Sequence, residues 1–208
     1  MKRGIFIVTE GIDGSGKSTQ AKMLASWLRK RGRKVLLTRE PYTDRLRKQL
    51  RSGKNYNWLK LFTEDRLIHL KKEVLPALNK GMIVVCDRYY YSTLAYQLQP
   101  KEWKKYSSKF IRPDLGLIFD VPVGIGLKRR LERDTRIQQK RSFFERKKIL
   151  ERVRKKYLLL PKVFPEIKVV NAVQKPNSIF KNVKNVVLQM EKMKIKNFQS
   201  YKSQKKFK

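Results

Sequence analysis

One cysteine and one histidine in 208 residues leave no internal disulfide and no histidine- or cysteine-built metal centre to look for. Cys86 stands in the apolar run Met82-Ile83-Val84-Val85-Cys86, where a buried structural thiol is expected rather than a nucleophile. Such cysteine usage suits a reducing cytoplasm. Long apolar runs are also missing. None approaches the roughly 20 residues needed to cross a bilayer. The run Ile5 to Val8 is shorter than a signal-peptide core and gives way to Thr9-Glu10, so it reads as a first strand. Acidic residues are scarce: 17 Asp and Glu face 52 Lys and Arg, a formal net charge of +35. A field of that sign attracts polyanions, but the charge is spread along the chain and reads mainly as a lysine-rich solvated surface. The stretch 194–208 differs, because its lysines alternate with Asn, Gln and Ser and no acid balances them. It is expected to be a frayed or disordered basic tail, a source of weak non-specific polyanion binding, behind a single domain spanning 1–193.

What is present is an alternation. Strand-like apolar runs fall at Ile5–Thr9, Val35–Thr38, Ile83–Cys86, Leu115–Asp120 and Ile167–Val170. Between and after them, stretches of helical period cover Ser18–Lys30, Trp58–Leu78, Val123–Glu132, Arg146–Leu160 and Ser178–Met193. Strands alternating with helices predict an α/β fold of three layers, a five-stranded parallel sheet with helices on both faces. Gly32 and Gly81 each precede a strand, where a helix C-terminal cap belongs. Residues 134–144, polar and arginine-rich between two helices, read as a surface loop.

The segment Gly11-Ile12-Asp13-Gly14-Ser15-Gly16-Lys17-Ser18-Thr19 contains the phosphate-loop pattern G-x-x-x-x-G-K-[ST], between an apolar strand and an amphipathic helix. Glycines let successive N–H groups turn inward, and the helix N-terminus adds a favourable dipole for an anion. Lys17 is expected on the β- and γ-phosphates of ATP and Ser18 on Mg²⁺. At the end of the third strand, Asp87 suits a water-mediated hold on that Mg²⁺. The next residue is Arg88 rather than a glutamate that would orient water, which favours transfer to an anionic acceptor held by Arg88.

Four segments in order resemble the thymidylate kinase family: Glu10 to Gln20, Thr38-Arg39-Glu40-Pro41, Phe62-Thr63-Glu64-Asp65-Arg66 with His69, and Asp87-Arg88-Tyr89 through Ser92-Thr93 to Ala95-Tyr96-Gln97. The resemblance implies an ATP- and Mg²⁺-dependent kinase acting on dTMP, a homodimer, and a role for each residue. Arg39 and Arg88 would hold the dTMP phosphate and Asp13 the sugar 3′-hydroxyl. Phe62 and Arg66, one helical turn apart, would stack on thymine and donate to its O4. Tyr96 would exclude a ribose 2′-hydroxyl, with Ser92 and Thr93 along the same side. Some members carry an arginine where this chain has Gly14, so the missing charge is expected from an arginine-rich lid over about 134–144. Arg133 and Arg136 are preferred there, with Arg129 and Arg141 as alternatives. Two departures from the family pattern are Tyr42-Thr43, where glycines are usual, and Asn171-Ala172, where Asp-Ala is usual. Rival readings are a kinase of another pyrimidine monophosphate, or a binder of nucleic acid that keeps the phosphate loop as scaffold.

Overall fold

All five apolar runs become strands: β1 (Ile5–Glu10), β2 (Val35–Arg39), β3 (Ile83–Asp87), β4 (Leu115–Asp120) and β5 (Ile167–Asn171). They form one parallel sheet in the order β2-β3-β1-β4-β5. The computed structural model of the chain describes residues 3–52, 54–132 and 140–205, with side chains for all of these except 140–145 and 194–205. Among them the helices are α1 (Lys17–Lys30), α2 (Asp44–Arg51), α3 (Trp58–His69), α4 (Leu75–Asn79), α5 (Tyr90–Gln97), α6 (Trp103–Ser107), α7 (Val123–Leu131), α8 (Lys140–Leu159) and α9 (Pro176–Lys205).

The central strands are apolar on both sides because both faces of the sheet are covered. Phe6, Ile7 and Val8 of β1, and Val84, Val85 and Cys86 of β3, are wholly buried. Helices α1 and α9 pack together on one face, while α3, α5 and α8 lie side by side on the other. Cys86 is a buried free thiol, and burial, then the charge of Glu40, pushes its pKa well up, as an inert structural cysteine requires. Gly32 and Gly81 close α1 and α4 with φ of 74° and 72°. In each case the glycine N–H and the next N–H bond back into the last turn: Gly32 to Arg29 O and Arg33 to Leu28 O, Gly81 to Leu78 O and Met82 to Ala77 O.

Three helices are absent from the periodicity, for identifiable reasons. Helix α2 has a single buried residue, Leu46, and depends on its cap, where the Thr43 hydroxyl accepts the Leu46 N–H at 3.3 Å. Helix α5 opens Tyr-Tyr-Ser-Thr, poor helix formers whose conformation comes from tertiary contacts. Helix α6 is only one turn long. The stretch expected as one helix, Trp58–Leu78, is interrupted after His69 by a π turn, Leu70–Val74. Around it, His69 Nε2 and Glu73 Oε2 lie 2.8 and 3.0 Å from one Thr38 hydroxyl on β2. Helix α8 starts at Lys140, inside the stretch read as a lid loop, whereas 133–139 lie outside the described residues. Helix α9 runs on to Lys205, through much of the segment read as a frayed tail; no glycine or proline follows Pro176 to stop it.

Leu24 is fully buried where α1 meets the sheet. Leu24→Ala is expected to destabilise the protein by about 2–5 kcal/mol in urea unfolding; a loss below about 1 kcal/mol would contradict this docking of α1.

Candidate active site

The loop between β1 and α1 turns on three glycines of positive φ, Gly11 (141°), Gly14 (81°) and Gly16 (86°). At Gly14 a side chain has no space: its Cβ would stand 1.9 Å from the carbonyl oxygen of Gly126 on α7. Lys17 folds back over the loop, its Nζ donating to Ile12 O at 3.5 Å and lying 3.8 Å from Asp13 Oδ1. Burial, then the neighbouring Arg88 charge, lowers its pKa to about 8. Ser18 and Thr19 are exposed on the first turn of α1, and Ser15 is buried with a partnerless hydroxyl.

Arg88 sits where β3 passes into α5, at a φ of 74° that a non-glycine residue adopts at a cost. Its backbone N–H donates to Thr9 O at 2.9 Å. The side chain spans the cleft floor, with Nη2 donating to Asp13 Oδ1 at 2.6 Å and Nη1 to Ser92 Oγ at 2.9 Å. Burial disfavours its charge, but Tyr157, Tyr96, Asp13 and Glu10 outweigh that and leave its pKa raised. Burial likewise acts to raise the Asp13 pKa, yet Arg88, with Lys17 and Arg130, lowers it. Asp87 Oδ1 is buried without a hydrogen-bond partner. An unpaired carboxylate oxygen one strand away from Ser18 fits a hard divalent cation, directly or through water.

Helix α3 brings a second group to the same cleft. Arg66 is buried beneath it, pairing with Glu40 Oε2 at 2.7 Å and donating to Tyr106 Oη at 3.1 Å and Thr93 Oγ1 at 3.2 Å. With Nε on Glu40, Nη2 on both Glu40 and Thr93 and Nη1 on Tyr106, the second Nη1 hydrogen is left for a ligand. Phe62, one turn earlier, lines the cleft with Trp58, its ring centre 6.4 Å away. The cleft, about 520 Å³, joins Asp13 and Arg88 at one end to Phe62, Arg66 and Trp58 at the other. Ser92, Thr93 and Tyr96 also line it. Tyr96 is 37 % exposed and faces the cleft rather than packing in the core.

The family model for thymidylate kinase matches residues 9–183. The chain belongs to the thymidylate kinase family. A probable thymidylate kinase of Pyrococcus horikoshii is 41 % identical over 200 residues, covering 87 % of this chain and 94 % of its own. The thymidylate kinase of Desulfotalea psychrophila is 38 % identical over 202 residues, covering 91 % of this chain and 97 % of its own. Among solved structures, the thymidylate kinase of Ehrlichia chaffeensis matches with a TM-score of 0.70 and 26 % identity, over 89 % of this chain and 99 % of that one.

Both departures from the family pattern are accommodated locally. Asp65 accepts the backbone N–H groups of Tyr42 and Thr43 at 2.6 and 2.8 Å, and Tyr42 stacks on His69 with ring centres 4.6 Å apart. Asn171 Oδ1 accepts the Val173 N–H at 3.0 Å, so the turn after β5 forms with asparagine. Arg39, expected in the cleft, ends β2 opposite Asp87 in register; it is exposed and does not line the cleft. Of the lid arginines, Arg133, Arg136 and the Arg141 side chain lie outside the described residues. Arg129 donates to the carbonyl oxygens of Ala172 and Val173 at 2.8 and 2.7 Å, bracing that turn.

Sequence reasoning passed over Glu10, Tyr157 and Arg130. Glu10 is wholly buried and accepts from Tyr89 N, Ser92 N, Ser92 Oγ and Tyr157 Oη at 2.6–3.1 Å. Burial is the largest influence on it, and its pKa is raised. Its signals in the sequence were an acid at a strand end and its place at the head of the Glu10 to Gln20 motif. Arg130 donates to Asp13 Oδ2 at 3.0 Å.

The lowered pKa of Lys17 has a definite sign in binding. Near pH 8 the free protein holds Lys17 about half protonated, and a bound polyphosphate anion favours the charged form, so binding takes up protons. Calorimetry of ADP binding in two buffers of different ionisation enthalpy is expected to show uptake near pH 8 and much less at pH 7. Buffer-independent heats at pH 8 would contradict this.

Proposed function

We propose that the chain transfers the γ-phosphoryl group of ATP to dTMP, giving dTDP and ADP. The observation that carries this reading is the single cleft that joins the phosphate-loop Asp13 and Arg88 to Phe62 and Arg66. Its volume of about 520 Å³ suits a nucleoside monophosphate, phosphate towards the loop and base towards α3. Arg88 holds the acceptor phosphate, and Asp13 accepts from the 3′-hydroxyl. Phe62 stacks on the pyrimidine, while Arg66 donates to thymine O4, where cytosine would present a competing amine. Tyr96 fills the space beside C2′, with Ser92 and Thr93 along the same wall. Arg39, at the sheet edge beside Asp87, serves the acceptor phosphate only with a change of side-chain conformation.

The donor is held by the loop from Gly11 to Thr19, with Lys17 on the β- and γ-phosphates. Mg²⁺ held by Ser18 and Asp87 would supply charge neutralisation on the donor phosphates. The acceptor oxygen is already anionic at neutral pH, so the protein's part is alignment, exclusion of water and neutralisation of charge rather than general-base catalysis. Arg133 and Arg136 remain part of this reading as lid arginines. The reading also takes the enzyme as cytoplasmic; among the described residues no helix is long and apolar enough to cross a membrane. The net charge of +35 supports weak, salt-sensitive polyanion attraction as a secondary property.

A homodimer is supported by Leu67, Ile68 and Leu75, which are 49 %, 40 % and 38 % exposed along α3 and its continuation. Charge introduced there, as Leu67→Glu with Ile68→Glu, is expected to yield a monomer in sedimentation velocity; an unchanged dimer, or a wild-type monomer, would contradict this face.

The function is tested by a coupled assay with MgATP and each of dTMP, dUMP, dCMP, UMP and dGMP. Strong preference for dTMP is expected, with kcat lowered on the order of 10²–10³-fold in Lys17→Ala. Phe62→Ala, at a partly exposed position, is expected to raise KM for dTMP by roughly 5- to 100-fold through lost stacking. Preference for another monophosphate would overturn the base assignment.

A further inference from the structure

Three cations converge on the one carboxylate of Asp13. Arg88 Nη2 lies 2.6 Å from Oδ1, Arg130 Nη1 3.0 Å from Oδ2, and Lys17 Nζ 3.8 Å from Oδ1. Asp13 alone touches all three; Glu10 and Asp87 also act on Lys17, and Glu10 on Arg88, from farther away, so the cations are gathered at one carboxylate beside the cleft. In the functional reading above, on which this inference rests, Lys17 serves the donor phosphates and Arg88 the acceptor phosphate. The carboxylate that touches both therefore lies beside the gap the phosphoryl group crosses, and Arg130 approaches that gap from outside the loop.

The backbone explains how. Gly14 and Gly126 let α7 lie directly on the phosphate loop: a Cβ on Gly14 would meet Gly126 O at 1.9 Å, and one on Gly126 would meet Asp13 O at 2.8 Å. Arg130 follows Gly126 by four residues on the same helix, so it shares the face that rests on the loop. Its side chain is still 34 % exposed, so its guanidinium retains solvent-facing donors.

We propose that Arg130 is a further catalytic residue, whose guanidinium donates hydrogen bonds to the transferred phosphoryl group. In the step, the bond from the γ-phosphorus to the β,γ-bridging oxygen of ATP breaks and its electron pair leaves on ADP. A bond forms from an α-phosphate oxygen of dTMP to that phosphorus. Arg130 gives up no proton; its N–H groups offset charge on the phosphoryl oxygens, a charge-assisted contact that a planar fork makes well.

The test compares Arg130→Ala, Arg130→Lys and, as a control, Lys128→Ala, an exposed residue of the same helix, in the full chain. Arg130→Ala is expected to lower kcat on the order of 10²–10³-fold, with KM for dTMP and for ATP within a factor of about three and partial recovery on adding guanidinium ion below unfolding concentrations. Lys128→Ala is expected to match wild type. Unchanged kcat in Arg130→Ala, or a rise in KM for dTMP alone, would overturn the inference, the latter because it would mean only that Asp13 is positioned. If Arg130→Ala fails to fold, Arg130→Lys is read instead, since it keeps the charge but loses the fork: lowered kcat at constant KM supports the inference and unchanged kcat overturns it. A wild-type protein inactive on dTMP would sink the functional reading itself, a result distinct from all of these.

Discussion

The site hangs on a carboxylate taken out of water. Glu10 ends the central strand β1 and is fully buried, a placement that costs several kcal/mol unless its oxygens are well paired. Its partners answer that cost with four hydrogen bonds: two backbone N–H groups at the start of α5, the Ser92 hydroxyl and the Tyr157 hydroxyl from α8. A negative charge at a helix N-terminus is also where the dipole favours it. One side chain thus ties β1, the β3–α5 junction and α8 together. Arg88, between Asp87 and Tyr89, is held at its positive φ by that junction. The strain is local, and the groups fixing it come from three different elements.

A second buried carboxylate, Glu40 in an ion pair, organises the other end of the cleft. Glu40 and Arg66 meet at 2.7 Å with almost no exposure on either side chain. The guanidinium also lies near the rings of Tyr89 and Phe110, 5.5 and 5.1 Å from their centres. A charge so enclosed does not swing out to meet a ligand; it offers a fixed donor, and rigidity of that kind is what discrimination between similar bases requires. The same Glu40 carboxylate lies 3.3 Å from His69, so the lone histidine is a structural neighbour of the site.

Between these two buried carboxylates, Asp13 serves both sides of the cleft. It draws Arg88 and Arg130 inward and lies near Lys17, holding cations close together that would otherwise repel one another. Cations gathered so closely beside an open cleft suit a site for phosphate groups. The close approach of α7 to the phosphate loop, possible only where Gly14 and Gly126 face each other, sets which arginine of α7 arrives there. Arg129, one residue earlier, points to the turn after β5 and braces it through carbonyl oxygens.

Much of this was legible in the chain itself. Five apolar runs located five strands to within a residue: the central β1, β3 and β4 are buried on both faces and admit almost nothing polar, while the edge strands β2 and β5 keep shorter apolar runs with exposed positions. The glycine spacing identified the phosphate loop because only glycine adopts φ values of 81° and 86° freely. The ordered motifs named Phe62, Arg66, Arg88 and Asp13, and all four line one cleft. The rest depended on contacts between residues far apart in sequence. Helix α5 forms from poor helix formers because Glu10, some eighty positions earlier, accepts from its first turn. Arg130 carries no local pattern, and Glu10, though it heads the phosphate-loop motif, carries none that tells its role; an acid at a strand end and one arginine among many look the same whether solvated or central. What decides between those fates is the partner each meets, and partners come together only when the sheet order and the glycine contact are in place.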